Sequence, residues 1–216
     1  MNEPTTLRVT EIFYSVQGES THAGRPCVFV RLTGCPLRCR WCDTAYAFHG
    51  GKTMTIDWIV GEVRALQCRL VEVTGGEPLA QSACLPLLRR LCDEGFEVLL
   101  ETSGALPLEA IDPRVRVIMD LKCPDSDESD RNRWDNLDRL RPGDEIKFVI
   151  ASRADYEWAR GVIDEHRLAD RGAVLFSPVW GECDPSELAR WMLDDRSAAR
   201  LQLQLHKLLF GDRPGV

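Results

Sequence analysis

The chain has 216 residues, 44% of them hydrophobic, which suits a single domain spanning 1–216 with a substantial core. Asp and Glu (34) outnumber Lys and Arg (27) for a formal net charge of −7, leaving no basic stripe for a nucleic-acid backbone, so no nucleic-acid partner is expected. No apolar run approaches the roughly 20 residues that cross a bilayer, and the opening "MNEPTTLRVTEIFYS" lacks the charged-then-apolar pattern of a leader; a cytoplasmic protein with no membrane partner is expected.

In chain order, "CVFVRL" (27–32) is the first predicted strand, and "TGC" follows it. Ile56, Ile59, Val60, Val63 and Leu66 recur at helical spacing behind Thr55, a fitting N-cap. The strand "RLVEVT" (69–74) runs into "TGGEP", Leu85, Leu88 and Leu91 mark a second helix, and "FEVLLET" (96–102) runs into "ETSG". The strand "VRVIMDL" (115–121) ends on "DLK", before a hydrophilic loop, "PDSDESDRNRWD" (124–135). "EIKFVI" (145–150), a helix over 153–167 opened by Ser152, "AVLFS" (173–177) ending on "SP", and a helix over 186–194 opened by "DPSE" come next. "LQLQLH" (201–206) reads as the last strand.

Strands alternating with helices imply an α/β fold with a mostly parallel sheet, and near-continuous apolar strands imply that both faces are covered. The chain is short for a closed eight-stranded barrel, which takes about 250 residues, so an open, partial TIM-like barrel is predicted. Ligands of such folds gather at the carboxyl ends of the strands, where "TGC", "TGGEP", "ETSG", "DLK" and "SP" all fall.

Nine cysteines, an odd number at scattered spacing, do not form a disulfide framework in a reducing compartment. Cys27, Cys68, Cys84, Cys92, Cys123 and Cys183 lie mostly in apolar or helical contexts that suit inert thiols. The other three, Cys35, Cys39 and Cys42, crowd into "GCPLRCRWCDT" (34–44). A structural zinc ion wants four ligands, which His49 could complete. A [4Fe-4S] cubane normally takes four cysteines, so three would leave one iron open to the amino and carboxylate groups of S-adenosylmethionine. A reduced cluster can then cleave that cofactor to methionine and a 5′-deoxyadenosyl radical.

The Cys-x-x-x-Cys-x-x-Cys spacing of residues 35–42, the aromatic Trp41 before the last cysteine, and "TGGEP" (74–78) resemble the radical S-adenosylmethionine (SAM) superfamily. The resemblance implies that the backbone of this turn approaches the amino group of the bound methionine moiety, an approach that glycine, with no side chain to intervene, permits. The opening "EIFYSVQGESTHAGRPCVFVRLTGC" (11–35), "CDTAYAF" (42–48), "ETSG", "EIKFVI" and the closing "QLHKLLFGDRPGV" extend the likeness nearly end to end to the 7-carboxy-7-deazaguanine synthase family of queuosine and deazapurine biosynthesis.

The resemblance implies a reduced radical-SAM core of six strands and three helices, assembled as a homodimer. It implies conversion of 6-carboxy-5,6,7,8-tetrahydropterin to 7-carboxy-7-deazaguanine with loss of ammonia, a carbon–nitrogen lyase reaction. The implied cofactors are a [4Fe-4S] cluster on Cys35, Cys39 and Cys42, S-adenosyl-L-methionine, and Mg2+ on Thr44. The electron donor would be a protein such as flavodoxin or ferredoxin. Trp41, Cys42, Asp43, Gly76, Asp120, Leu121, Lys122, Ser177, Pro178, Val179 and Trp180 match cofactor-contacting positions. Asp120 and Leu121 stand where some branches carry Ser-Pro before the lysine, and Val179 and Trp180 also depart from the family pattern. Val16, Gln17, Gly18, Arg31, Thr74, Glu101 and His206 match the substrate side, with Glu101 and His206 at predicted strand ends. In some relatives the chain ends soon after the matching histidine and the terminal carboxylate helps to bind substrate; here "LLFGDRPGV" runs on to Val216. Two alternatives remain at this stage: an activating enzyme that installs a glycyl radical on a partner protein, and a structural Cys–metal module.

Overall fold

Alternating runs of β-branched and helix-forming residues set the order of elements in the computed structural model, which describes residues 5–211, 213, 215 and 216. The strands are β1 (Thr6–Val16), β2 (Pro26–Leu32), β3 (Lys52–Thr55), β4 (Leu70–Gly75), β5 (Glu97–Thr102), β6 (Arg116–Leu121), β7 (Glu145–Ile150), β8 (Ala173–Pro178) and β9 (Arg200–Leu201). The helices are α1 (Ile56–Ala65), α2 (Cys84–Asp93), α3 (Arg153–His166), α4 (Pro185–Asp194) and α5 (Leu205–Phe210). The predicted caps form: Thr55 accepts from the Trp58 amide, Ser152 from that of Asp155, and Asp184 from that of Ser186 with Pro185 opening α4.

All nine strands join one sheet in the order β3-β1-β2-β4-β5-β6-β7-β8-β9. β1 pairs antiparallel with β2 and β3, and every other pairing is parallel. The edge strands β3 and β9 do not meet, so the curved sheet is an open, partial barrel of the predicted kind. One face of each parallel strand turns toward the helices: Val28, Val30, Val71, Val73, Leu100, Met119, Leu121, Phe148 and Phe176 join Val63, Leu87, Leu91, Tyr156 and Leu188 in the main core. Cys84, Cys92, Cys123 and Cys183 are inert members of that core.

Two departures from the sequence reading concern the ends of the sheet. β1 and β3 are strands that the sequence pattern does not announce; β1 carries the "EIF" motif residues as part of a hairpin with β2. The predicted strand over 201–206 is overturned. Only Arg200 and Leu201 pair with β8, after which the chain leaves the sheet and winds into α5. The Leu-Gln alternation fails as a strand because Gln202 and Gln204 turn their amides onto Glu19. His206 therefore stands on a helix, not at a strand end.

Candidate active site

The second face of each strand points into the barrel, and its side chains stack in layers. At the amino ends of the strands, Cys27, Phe29, Leu70, Leu99 and Ile118 pack into a separate apolar plug, with the Phe13 ring stacked on Phe29 at 4.9 Å. Above the plug the wall turns polar and encloses a cavity of about 730 Å³. Arg31 from β2, Glu72 and Thr74 from β4, Glu101 from β5, Asp120 from β6 and Lys147 from β7 face one another there. Register fixes these neighbours, because Arg31 lies beside Thr74 and Asp120 beside Lys147.

Lys147 is the hub of this layer. Its ammonium donates to Glu19 at 2.7 Å and to Glu101, and lies 3.6 Å from Asp120. Burial works against its charge, but Glu101, Glu19 and Asp120 outweigh that effect and hold its pKa well above the usual lysine value. Asp120 also pairs with Lys122 at 2.9 Å, linking this layer to the rim. Gln17 donates its amide N–H to Glu72 Oε2 and accepts from the Glu19 backbone N–H at 3.0 Å. Burial, then Glu101 and Glu19, push the Glu72 carboxyl well above the usual glutamate range. Arg31 pairs with Glu11 at 2.8 Å, and Tyr46 donates to the same Glu11 oxygen.

The rim holds the thiols. Cys35, Cys39 and Cys42 are unpaired, partly exposed and all line the cavity. The loop is braced from outside: the Arg40 amide donates to the Ser126 carbonyl, and the Arg38 amide to Glu128, so the hydrophilic 124–135 segment serves as its buttress. Burial raises the Cys39 thiol to about 11, against the pull of Lys122. A bound metal centre supplies the positive charge that such a thiol needs to ionise. Among the described residues no three His, Cys, Asp or Glu side chains converge on one point as a single zinc ion would hold them, and exposed His49 is not among the wall residues. Three thiols spread over one cavity wall fit a larger inorganic cluster better than a closed four-ligand site.

A second observation supports a cofactor beside that cluster. Asp120 Oδ1 is buried and has no hydrogen-bond partner among the described residues, an acceptor left unsatisfied on a residue of the cavity wall. Trp41, Cys42, Asp43, Gly76, Asp120, Lys122, Val179 and Trp180 line the cavity, as do Thr44 and the whole predicted substrate set, Val16, Gln17, Gly18, Arg31, Thr74, Glu101 and His206. The side chain of Leu121 does not; strand alternation turns it into the helix-facing core. Ser177 and Pro178 are likewise buried away from the wall. A Cβ on Gly76 would lie 2.4 Å from the Gly34 carbonyl and 2.7 Å from Cys35 Cβ, so this glycine also makes room for the thiol loop itself. The run past His206 does not leave the site: Gly211, Arg213, Gly215 and Val216 line the same cavity.

Several residues of the site escape motif reading. Glu77, fully buried, accepts from Thr102 Oγ1, the Ser103 amide and Ser103 Oγ, tying "TGGEP" to "ETSG". Asn132 clamps the Lys122 backbone through both its N–H and its carbonyl. Lys207 pairs with Asp43 at 2.8 Å, and Gln204 donates to Glu19 and Asp43, so the segment around α5 joins the "VQGE" loop to the thiol loop. Period-two charge placement inside "VEVT" and "EIKFVI" is the only sequence signal for Glu72 and Lys147.

Fold and site together define a radical SAM enzyme core, and the profile described as the Radical SAM superfamily matches residues 29–151, more than half of the chain. A 7-carboxy-7-deazaguanine synthase from Chlorobaculum tepidum is 48% identical over 220 residues, covering 100% of both chains. One from Koribacter versatilis is 48% identical over 219 residues, covering 94% of this chain and 97% of its own. The crystal structure of QueE from Escherichia coli superposes with a TM-score of 0.78 over 93% of this chain and 95% of that one, at 23% identity, a likeness of fold. Within the superfamily, the chain belongs to the 7-carboxy-7-deazaguanine synthase family.

Proposed function

We propose that this enzyme contracts the ring of 6-carboxy-5,6,7,8-tetrahydropterin to give 7-carboxy-7-deazaguanine and ammonia, in queuosine or 7-deazapurine biosynthesis. The observation that carries the reading is a single cavity with three thiols on its rim and, beneath them, a guanidinium set among surplus carboxylates. Such a layer suits a heterocycle that is anionic at one end and rich in N–H donors at the other. Arg31, already aligned by Glu11, is the cation for the substrate carboxylate. Glu101 and His206 flank the ring, and Thr74, which donates to Glu101 at 3.1 Å, orients that carboxylate.

Cys35, Cys39 and Cys42 would hold the [4Fe-4S] cluster, which with S-adenosylmethionine supplies a 5′-deoxyadenosyl radical. The residues around it would bind and orient the cofactor: Asp120 near the end of β6 and Lys122 just beyond it, with Gly76 after β4 and Trp180 after β8. Thr44 donates to Asp43 at 2.8 Å, and these two hard oxygen donors suit a magnesium ion that keeps part of its water shell. Lys207 holds Asp43 in place from α5.

The same reading takes 1–216 as one domain, a cytoplasmic location, and a one-electron donor such as flavodoxin or ferredoxin. Among the described residues no helix is long and apolar enough to cross a membrane. A homodimer is supported by exposed Leu201, Leu203, Leu208 and Leu209 at the β9–α5 edge. No observation favours a glycyl-radical activator, for which a polar floor built from "VQGE" has no use.

The test is anaerobic turnover. Protein reconstituted with iron and sulfide, given S-adenosylmethionine, magnesium, a reductant and the carboxytetrahydropterin, is expected to release ammonia and a product of the deazaguanine mass. Cofactor cleavage without that product would reject the substrate assignment.

A further inference from the structure

The polar layer holds four carboxyl groups, Glu19, Glu72, Glu101 and Asp120, against two lysines, Lys122 and Lys147. Their oxygens are unequally occupied. Both oxygens of Glu19 are taken, one by Gln204 and the other by Lys147 and Gln202. Glu101 receives Lys147 on one oxygen and Thr74 on the other. Asp120 Oδ2 receives both lysines, and its Oδ1, at the end of β6, is buried without a partner among the described residues. That leaves Glu72, whose Oε2 is held by Gln17 and whose Oε1 accepts from no group among the described residues.

Glu72 is also placed differently from the rest. It pairs in register with Phe29, whereas Arg31 pairs with Thr74, so Glu72 lies one pleat deeper than the Arg31 level, about 6–7 Å along the strand. Phe29 belongs to the apolar plug and carries the stacked ring of Phe13, giving Glu72 a flat hydrocarbon neighbour. Gln17 is 2% exposed and both ends of its amide are engaged, with its backbone fixed by Arg25 and Gly24. Gln17 therefore serves the site by aiming Glu72 into it.

We propose that Glu72, aimed by Gln17, is the specificity-determining residue that accepts hydrogen bonds from the N–H edge of the heterocycle remote from the carboxylate at Arg31. The proposal rests on the pterin reading above. The chemical logic is that a planar pair of N–H donors, as in a 2-amino-4-oxopyrimidine edge, matches the two oxygens of a carboxylate. An edge carrying oxygen in place of the amine would instead set two acceptors face to face in a buried site.

The experiment is equilibrium binding, by ligand fluorescence, of 6-carboxypterin and of 6-carboxylumazine, which bears oxygen in place of the exocyclic amine. The wild-type protein is expected to prefer the pterin by about 100-fold or more. Glu72→Gln should bring the two affinities to within about 10-fold, chiefly by weakening the pterin. Glu72→Asp, which retracts the carboxylate, and Gln17→Leu, which releases it, should each lower the ratio. Far-UV circular dichroism and S-adenosylmethionine affinity, unchanged in the variants, separate this effect from loss of fold. A folded Glu72→Gln protein that keeps the wild-type preference overturns the role of Glu72 and leaves the pterin reading standing. A wild-type protein that binds neither ligand overturns the pterin reading and the proposal with it.

Discussion

Glu72 is an acid in a place where its charge is unwelcome, and this has a measurable cost. Burial, reinforced by Glu101 and Glu19 and opposed by Lys147 and the Gln17 amide, raises its pKa above 4.5. Between the unfolded and folded values the native chain keeps a proton that the unfolded chain releases, so wild-type stability falls as pH rises through that window. Glu72→Gln removes this penalty, and its melting temperature relative to wild type should climb as pH rises above the ordinary glutamate range. An offset that stays flat with pH would remove the shift. The residues that the sequence makes legible are those whose chemistry needs a fixed local spacing, Cys35, Cys39 and Cys42 above all. Glu72 and Lys147 are not legible in that way. Alternation within a strand tells which residues share a face, but only the curling of the sheet decides that this face is the inside of a partial barrel.

At the scale of elements, the α5 junction shows where local pattern and tertiary demand part. Leu-Gln-Leu-Gln has the period of a strand, yet the chain meets Glu19 here, and satisfying a partly buried carboxylate outweighs two further ladder bonds. The helix then packs so closely that a Cβ at Gly18 would fall 2.0 Å from His206 Nδ1, while the Leu205 amide donates to the Gly18 carbonyl at 2.9 Å. Gly18→Ala must therefore displace α5, at a cost of about 1–3 kcal/mol. Faster amide hydrogen exchange over 205–210, with the helices α1 and α2 unchanged, is the expected signature; uniform exchange would show that the ring simply swings aside. By contrast, helices α1 to α4 were readable because the caps of α1, α3 and α4 and the apolar stripe of α2 depend only on neighbours within a turn or two.

At the scale of the whole molecule, the main core lies between sheet and helices, while the thiol loop sits on the open rim and its one buried apolar side chain, Leu37, is not part of that core. Fold and metal centre are thus separable. Cys39→Ala should lose the broad visible absorption of a reconstituted cluster and all cofactor cleavage, yet keep the far-UV spectrum of the parent. Collapse of that spectrum would show that the core depends on the metal centre after all. The antiparallel β1–β2 hairpin has a broader consequence. The superfamily profile starts at residue 29 and stops at residue 151, so Gln17, Gly18, Glu19 and His206 fall on stretches outside it. In the proposed reading, the thiol loop, Arg31 and Glu72 lie within the matched stretch, while Gln17, Glu19 and His206 complete the substrate side from the flanking segments. A lineage could exchange its flanking segments and acquire a new reactant while leaving the ignition chemistry untouched.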